Sequence, residues 1–307
     1  EKFSDVPQCN KFFMEGTTPN LPGILFGGKV QDQNRNRYKL ICQKYRNIYM
    51  FATLYDTTNR IPVFSAYTFT GVGSSGKRPD KWMIEPQLDG GEEPVMSLET
   101  QGVIYTHQAV NQDYDIDGKN KKVNKGHMFP KSFAHQPVNQ DSTFTLTNSV
   151  PQVKSFNEGS WGTMECKVRK IILKQCLDNT GKPKAYVVTG AVPSKSNTLN
   201  NRVNIPDIMW TAFCCYNNKK KEWMAQAHWG VNQEELKKPV LNPHPLSDLY
   251  DMLKHHYPGD VQLFPEKCLR GSSQKERGKS REREVGSGDI SRKGLMECDE
   301  DCKCVSL

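Results

Sequence analysis

Between Asn124 and Glu165 the chain sets His127, Asn148, Asn157 and Glu165 around a stretch that should pass from a strand into a helix. No other stretch restricts the fold as much. It reads Asn124-Lys125-Gly126-His127-Met128-Phe129-Pro130, then Thr143-Phe144-Thr145-Leu146-Thr147-Asn148-Ser149-Val150-Pro151-Gln152, then Phe156-Asn157-Glu158-Gly159-Ser160-Trp161, and finally Glu165. Thr143–Thr147 alternates polar and apolar residues as a strand does, and Pro151 should block its regular continuation. Gly159-Ser160 opens a segment in which Met164, Val168, Ile171 and Ile172 form an apolar helical stripe. The predicted local order is strand, loop, helix.

Other stretches fill in a sheet around this unit. The apolar runs Ile48–Tyr55 and Val63–Phe69, separated by the turn-forming Asp56-Thr57-Thr58-Asn59-Arg60, predict an antiparallel hairpin. Ala185–Val192 and Ile208–Tyr216 are β-prone without helical spacing and read as buried strands of a central sheet. Gly71 to Pro79 reads as an exposed loop. Leu246 to Tyr257, entered from Pro245, reads as an amphipathic helix. Runs of strands interrupted by separate helices give an α+β class, a central mostly antiparallel sheet flanked by helices.

The chain has 307 residues, 36% of them apolar, enough to bury one large core. Arg270 to Lys293 is dominated by Arg, Lys, Glu, Ser and Gly and cannot offset its ordering entropy by burial. The expected division is therefore a main domain over 1–267 and a flexible, basic, cysteine-containing tail over 268–307. Ten cysteines without finger-like ligand spacing favour disulfides over zinc and imply an oxidising compartment. The adjacent Cys214 and Cys215, on a strand, should point to opposite faces and find different partners, although the spacing leaves the connectivity open. No apolar run is long enough to span a membrane, and the sequence reads as a secreted product without its leader. A formal net charge of +8 favours an anionic partner.

The residues of the central stretch have the chemistry for hydrolysing a phosphodiester. That reaction needs an activated water, a cation to absorb charge and donors to position the phosphate. His127, with an ordinary pKa of about 6.5, is mostly free base at neutral pH and able to take a proton from water. Asn157 offers a neutral oxygen suited to Mg2+, with Mn2+ or Ca2+ as alternatives, and leaves the ion its full charge for the phosphate. Glu165 lies eight residues further on, about 12 Å along a helix axis, and so reaches the ion only through a bound water. Asn148 is placed to fix the backbone of the site or to hydrogen-bond the phosphate. Lys119, Lys121, Lys122 and Lys125 make the approach to His127 basic, with Lys121, Lys122 and Lys125 the phosphate-contacting candidates.

Taken together, these residues resemble the DNA/RNA non-specific endonuclease family, whose core is a ββα-metal motif. The family pattern is Asp-Arg-Gly-His, a strand ending in Asn before Pro-Gln, then Asn-x-Gly/Asn-x-Trp with a glutamate four residues after the tryptophan. Gly126-His127, Asn148, Pro151-Gln152, Asn157, Trp161 and Glu165 fall at those places. The resemblance implies His127 as general base, Asn157 as magnesium ligand, Glu165 as its water-holding partner and Asn148 as a support. It also implies DNA and RNA as substrates, little sequence preference and 5′-phosphate ends. It covers Asn124 to Glu165 strongly and leaves the tail after Cys268 outside.

Two departures stand beside it. Asn124-Lys125 replaces Asp-Arg, which keeps one positive charge but loses the planar arginine fork and a carboxylate. The alternative reading is therefore a catalytically weakened member that binds nucleic acid or another polyanion. A third is a cysteine-stapled module acting through the Cys298–Cys304 tail.

Overall fold

The computed structural model describes residues 2–73, 79, 81–114, 122–237, 239–272, 296–298, 302 and 304–306. In the main sheet three consecutive antiparallel strands come first: β1 (Tyr38–Tyr45), β2 (Ile48–Asp56) and β3 (Ile61–Phe69). A two-stranded ribbon follows, β4 (Val123–His127) paired with β5 (Ser149–Val153), and it leads into helix α1 (Gly162–Gln175). The chain then returns to the sheet as β6 (Ala185–Val192), β7 (Ile208–Asn217) and β8 (Glu222–Val231). Helices α2 (Leu246–Lys254) and α3 (Glu266–Ser272) precede a small antiparallel pair, β9 (Met296–Cys298) and β10 (Cys304–Ser306).

The six strands of the main sheet lie in the order β8-β7-β6-β3-β2-β1, and every pairing is antiparallel. The expected α+β class and the hairpin over Ile48–Phe69 are both present. Both faces of the sheet are covered, so its strands carry apolar residues in nearly continuous runs. One face sends Phe51, Tyr67, Met209 and Phe213 toward the ribbon and α1. The other sends Leu54, Phe64, Ala66 and Trp210 toward the N-terminal segment and α2. Helix α2 begins after Pro245, ends at Lys254 rather than at the predicted Tyr257, and buries Leu246, Leu249, Tyr250 and Leu253 on one amphipathic face.

Alternation along β7 separates two neighbouring cysteines. Cys214 bonds to Cys268 in α3, and Cys215 bonds to Cys176 at the end of α1. Two further disulfides, Cys9–Cys42 and Cys166–Cys302, complete those among the described residues. Of the tail, residues 273–295, 299–301, 303 and 307 lie outside the described residues, as does the tip of the predicted loop at 74–78.

Thr143–Thr147 is not a strand. The alternating threonines turn inward and spend their hydroxyls locally: Thr143 donates to the Gln140 carbonyl at 2.8 Å, and Thr145 and Thr147 pair at 3.2 Å. A 3-10 turn, Leu146–Asn148, follows, and the strand proper starts at Ser149. Pro151 sits inside that strand opposite Lys125 rather than ending it. A two-stranded ribbon has only edge strands, where a missing N–H is tolerated.

Candidate functional site

Ribbon, turn and helix make one ββα unit. In the ribbon Asn124 lies opposite Gln152, Gly126 opposite Val150, and His127 opposite Ser149. Gly126 is there for space: a Cβ at this position would lie 2.3 Å from Gln152 Oε1 and 2.5 Å from Gln152 Cβ. The Gln152 side chain, fully buried, crosses directly above the glycine.

His127 ends β4 with its ring held between two aromatic side chains. The Trp82 ring lies 4.6 Å away and tilted, and the Phe144 ring 4.9 Å away and edge-on. Its Nε2 atom is buried. The chain beyond His127 is fixed by Asn148, whose carbonyl accepts the Met128 N–H at 2.9 Å. Asn148 Oδ1 accepts the Phe129 N–H at 2.9 Å and the Ser65 hydroxyl at 3.0 Å. Its Nδ2 donates to the Phe129 carbonyl at 3.1 Å and the Thr143 carbonyl at 3.0 Å. With its side chain buried and engaged on both ends, Asn148 clamps the histidine segment. The polar chain runs deeper into the sheet: Ser65 pairs with Thr53 at 3.0 Å, and Gln43 Nε2 donates to Thr53 and Thr147 at 3.1 and 2.9 Å.

Asn157 opens a π-helical turn, Asn157–Trp161, that joins a short helical turn, Lys154–Phe156, to α1. Gly159 departs from helical geometry within it, and several side chains hold it in place. Asn124 Nδ2 donates to Glu158 at 3.1 Å. Glu235 accepts the Ser160 N–H at 3.0 Å and the Ser160 hydroxyl, while its own N–H donates to Ser155 Oγ at 3.0 Å. Asn232 Oδ1 accepts the Val153 N–H at 2.7 Å, and Asn232 Nδ2 donates to the Pro151 carbonyl at 3.0 Å. The Asn232–Glu235 segment was invisible as a site element in the sequence, which shows there only a polar loop.

Glu165 lies in the first turn of α1 and accepts the Trp161 indole N–H at 2.9 Å. Burial pushes its carboxyl up to about 8, against the opposing pull of the Trp161 hydrogen bond and the Arg169 charge. Lys125 donates to Asn111 Oδ1 at 2.9 Å and lies over the Trp82 and Tyr114 rings. The Lys122 ammonium is largely exposed, 3.9 Å from Glu234. Lys119 and Lys121 lie outside the described residues.

No group of three or more His, Cys, Asp or Glu residues suited to a metal exists among the described residues. A cation here would rest on neutral amide oxygen and water, a donor set that suits a hard ion retaining most of its hydration shell. The sequence profile of the DNA/RNA non-specific endonucleases matches residues 31–254. The chain belongs to that family.

Among family relatives, the human endonuclease domain-containing 1 protein (Homo sapiens) is 32% identical over 223 residues, covering 70% of this chain and 40% of the relative. Its mouse counterpart (Mus musculus) is 32% identical over 218 residues, covering 68% and 38%. The chain thus spans well under half the length of either endonuclease relative. A crystal structure of the EndoG/EndoGI complex includes a chain with a TM-score of 0.48 and 18% identity, over 74% of this chain and 86% of that one.

Proposed function

We propose that the chain is a secreted, magnesium-dependent endonuclease that hydrolyses phosphodiester bonds of DNA and RNA without sequence preference. The observation that carries this reading is the ββα unit itself. It holds His127 and Asn157 on adjoining elements, the segment after His127 clamped by Asn148 and the turn that carries Asn157 braced at Glu158 and Ser160 by Asn124 and Glu235.

Each residue then has a task. His127 takes the proton from the attacking water; with Nε2 buried, Nδ1 is the nitrogen assigned to that step. Asn157 would hold the cation through its amide oxygen, and Glu165 would hold a water of its shell. When bound, Mg2+ supplies a positive charge that stabilises the phosphate and the departing oxygen. Lys125, and with it Lys121 and Lys122, brings positive charge to the substrate phosphates. Asn148 positions His127 through the backbone and touches no substrate. Four disulfides among the described residues support an oxidising, extracellular setting. No helix among them is long and apolar enough to cross a membrane.

Incubation of plasmid DNA and of RNA with the protein, in Mg2+ or in EDTA, tests the proposal. Cleavage in Mg2+ that is lost in EDTA and in His127→Ala is the expected result. Salt-sensitive gel shifts with no cleavage under any condition would overturn it in favour of a polyanion-binding protein.

A further inference from the structure

The C-terminal segment lies outside the matched stretch 31–254, yet it is bonded to the candidate site. Cys302 forms a disulfide with Cys166, the residue after Glu165 in α1, across 136 residues of sequence. Both cysteines are buried, Cys166 at 4% and Cys302 at 3% exposure. Cys302 lies between β9 and β10 in left-handed conformation, φ 59, where the chain turns back. Strand β10 then packs against the Asn157–Trp161 turn. One short segment therefore touches both the helix start that carries Glu165 and the irregular turn that carries Asn157.

We infer that this segment, anchored by Cys302, is a positioning element of the cation site. The inference rests on the proposed function, because it takes Asn157 and Glu165 as the cation's residues. A site with one amide ligand draws little from charge, so its affinity depends on how firmly the ligand is held. The turn needs such support: Gly159 breaks its helical geometry, and the side-chain braces from Asn124 and Glu235 come from within the matched stretch. The disulfide fixes the remaining flank. Cys302 belongs to neither core cluster, so its loss should loosen the turn while the packed sheet remains.

Binding of Mn2+, counted as free ion by electron paramagnetic resonance, tests this on the full oxidised chain. Three variants are compared with the unmodified protein. Cys166→Ala/Cys302→Ala removes the anchor. Val305→Pro/Ser306→Pro keeps the disulfide and removes two successive N–H groups of β10, one of which must face β9, where Val305 lies opposite Glu297 and Ser306 opposite Met296. Cys9→Ala/Cys42→Ala removes a disulfide of the opposite sheet face as a control for general destabilisation. The dissociation constant should rise roughly tenfold in the first, rise in the second, and stay unchanged in the third, in line with the usual effect of losing an outer-shell support. The Mg2+ concentration for half-maximal cleavage should rise in parallel, with the rate recovered at saturating Mg2+. Unchanged affinity in both of the first two variants would overturn the inference. So would equal weakening in the control, or faster cleavage without the anchor, which would make the segment a cover. An unmodified protein that binds no Mn2+ would sink the underlying cation reading as well.

Discussion

The Asn124 side-chain amide donates to the Glu158 carboxylate at 3.1 Å, joining β4 to the turn that carries Asn157. The pattern that this stretch resembles has Asp at the first of these positions. Here an aspartate would face a carboxylate instead of donating to it. Asn124→Asp should therefore lower stability by about 1–2 kcal/mol, since a hydrogen bond to a charged group is replaced by like-charge repulsion. Pairing it with Glu158→Gln should recover most of the loss. Urea melts of both single variants and the double variant check this; a penalty for Asn124→Asp that persists undiminished beside Glu158→Gln would refute the coupling.

Local pattern carried much of the fold. The hairpin over β2 and β3 and the buried runs of β6 and β7 follow from apolar segments bounded by turn residues. The divergence of Cys214 and Cys215 follows from the twofold alternation of a strand. Thr143–Thr147 misled because hydroxyls buried in side-chain bonds produce the same alternation as a solvent-facing strand. The pairing of β3 with β6 joins residues more than a hundred positions apart, and no local signal specifies it. In the candidate site, the family motif pointed to His127, Asn148, Asn157 and Glu165. Ser65, Asn232 and Glu235 escaped notice, because a residue that supports a site through space leaves no spacing pattern behind.

Asn148 offers a sharper test of the clamp on the histidine segment. Asn148→Ala leaves the Phe129 and Thr143 carbonyls and the Phe129 N–H without their partners in a buried setting. The cost should be roughly 2–5 kcal/mol, with cleavage falling alongside. Asn148→Asp keeps the acceptor but turns a carboxylate toward two carbonyl oxygens, so it should destabilise at least as much as Asn148→Ala. Denaturant midpoints decide between them, and a near-native Asn148→Asp would show that the donor side carries no weight.

Gly126 tests the ribbon. Gly126→Ala forces a methyl group into the space of Gln152 and should cost about 1–3 kcal/mol. Gln152→Ala should not rescue it, because the Gln152 Cβ alone lies 2.5 Å from the added carbon. Gln152→Gly should relieve the clash. Thermal melts of the two double variants read out the difference; equal rescue by both would move the clash elsewhere.

His228 gives the fold a pH dependence of known sign. It is 5% exposed on β8, its Nδ1 lies 3.0 Å from the Leu241 carbonyl, and its Nε2 is buried with no hydrogen-bond partner among the described residues. The carbonyl fixes the proton on Nδ1, so a second proton would bury an N–H with nothing to accept it. Burial therefore lowers the pKa from 6.5 to about 4, with His244 adding to the shift and the Leu241 and Asn242 carbonyls opposing it. In this window the unfolded chain binds the extra proton and the folded chain does not, so stability falls as pH falls. The contribution is fully present above the unfolded value of about 6.5. It is lost progressively down to the folded value of about 4 and is constant below that. Its size is on the order of 3 kcal/mol from the shift alone. His228→Gln retains a donor for the Leu241 carbonyl but does not titrate, and the carboxylates of both proteins titrate alike. The stability of the unmodified protein relative to this variant, from urea melts between pH 7 and pH 4.5, should therefore decline as the pH is lowered. A difference that stays flat or grows toward acid would mean that His228 takes up its proton in the folded state, and that β8 opens locally to let it.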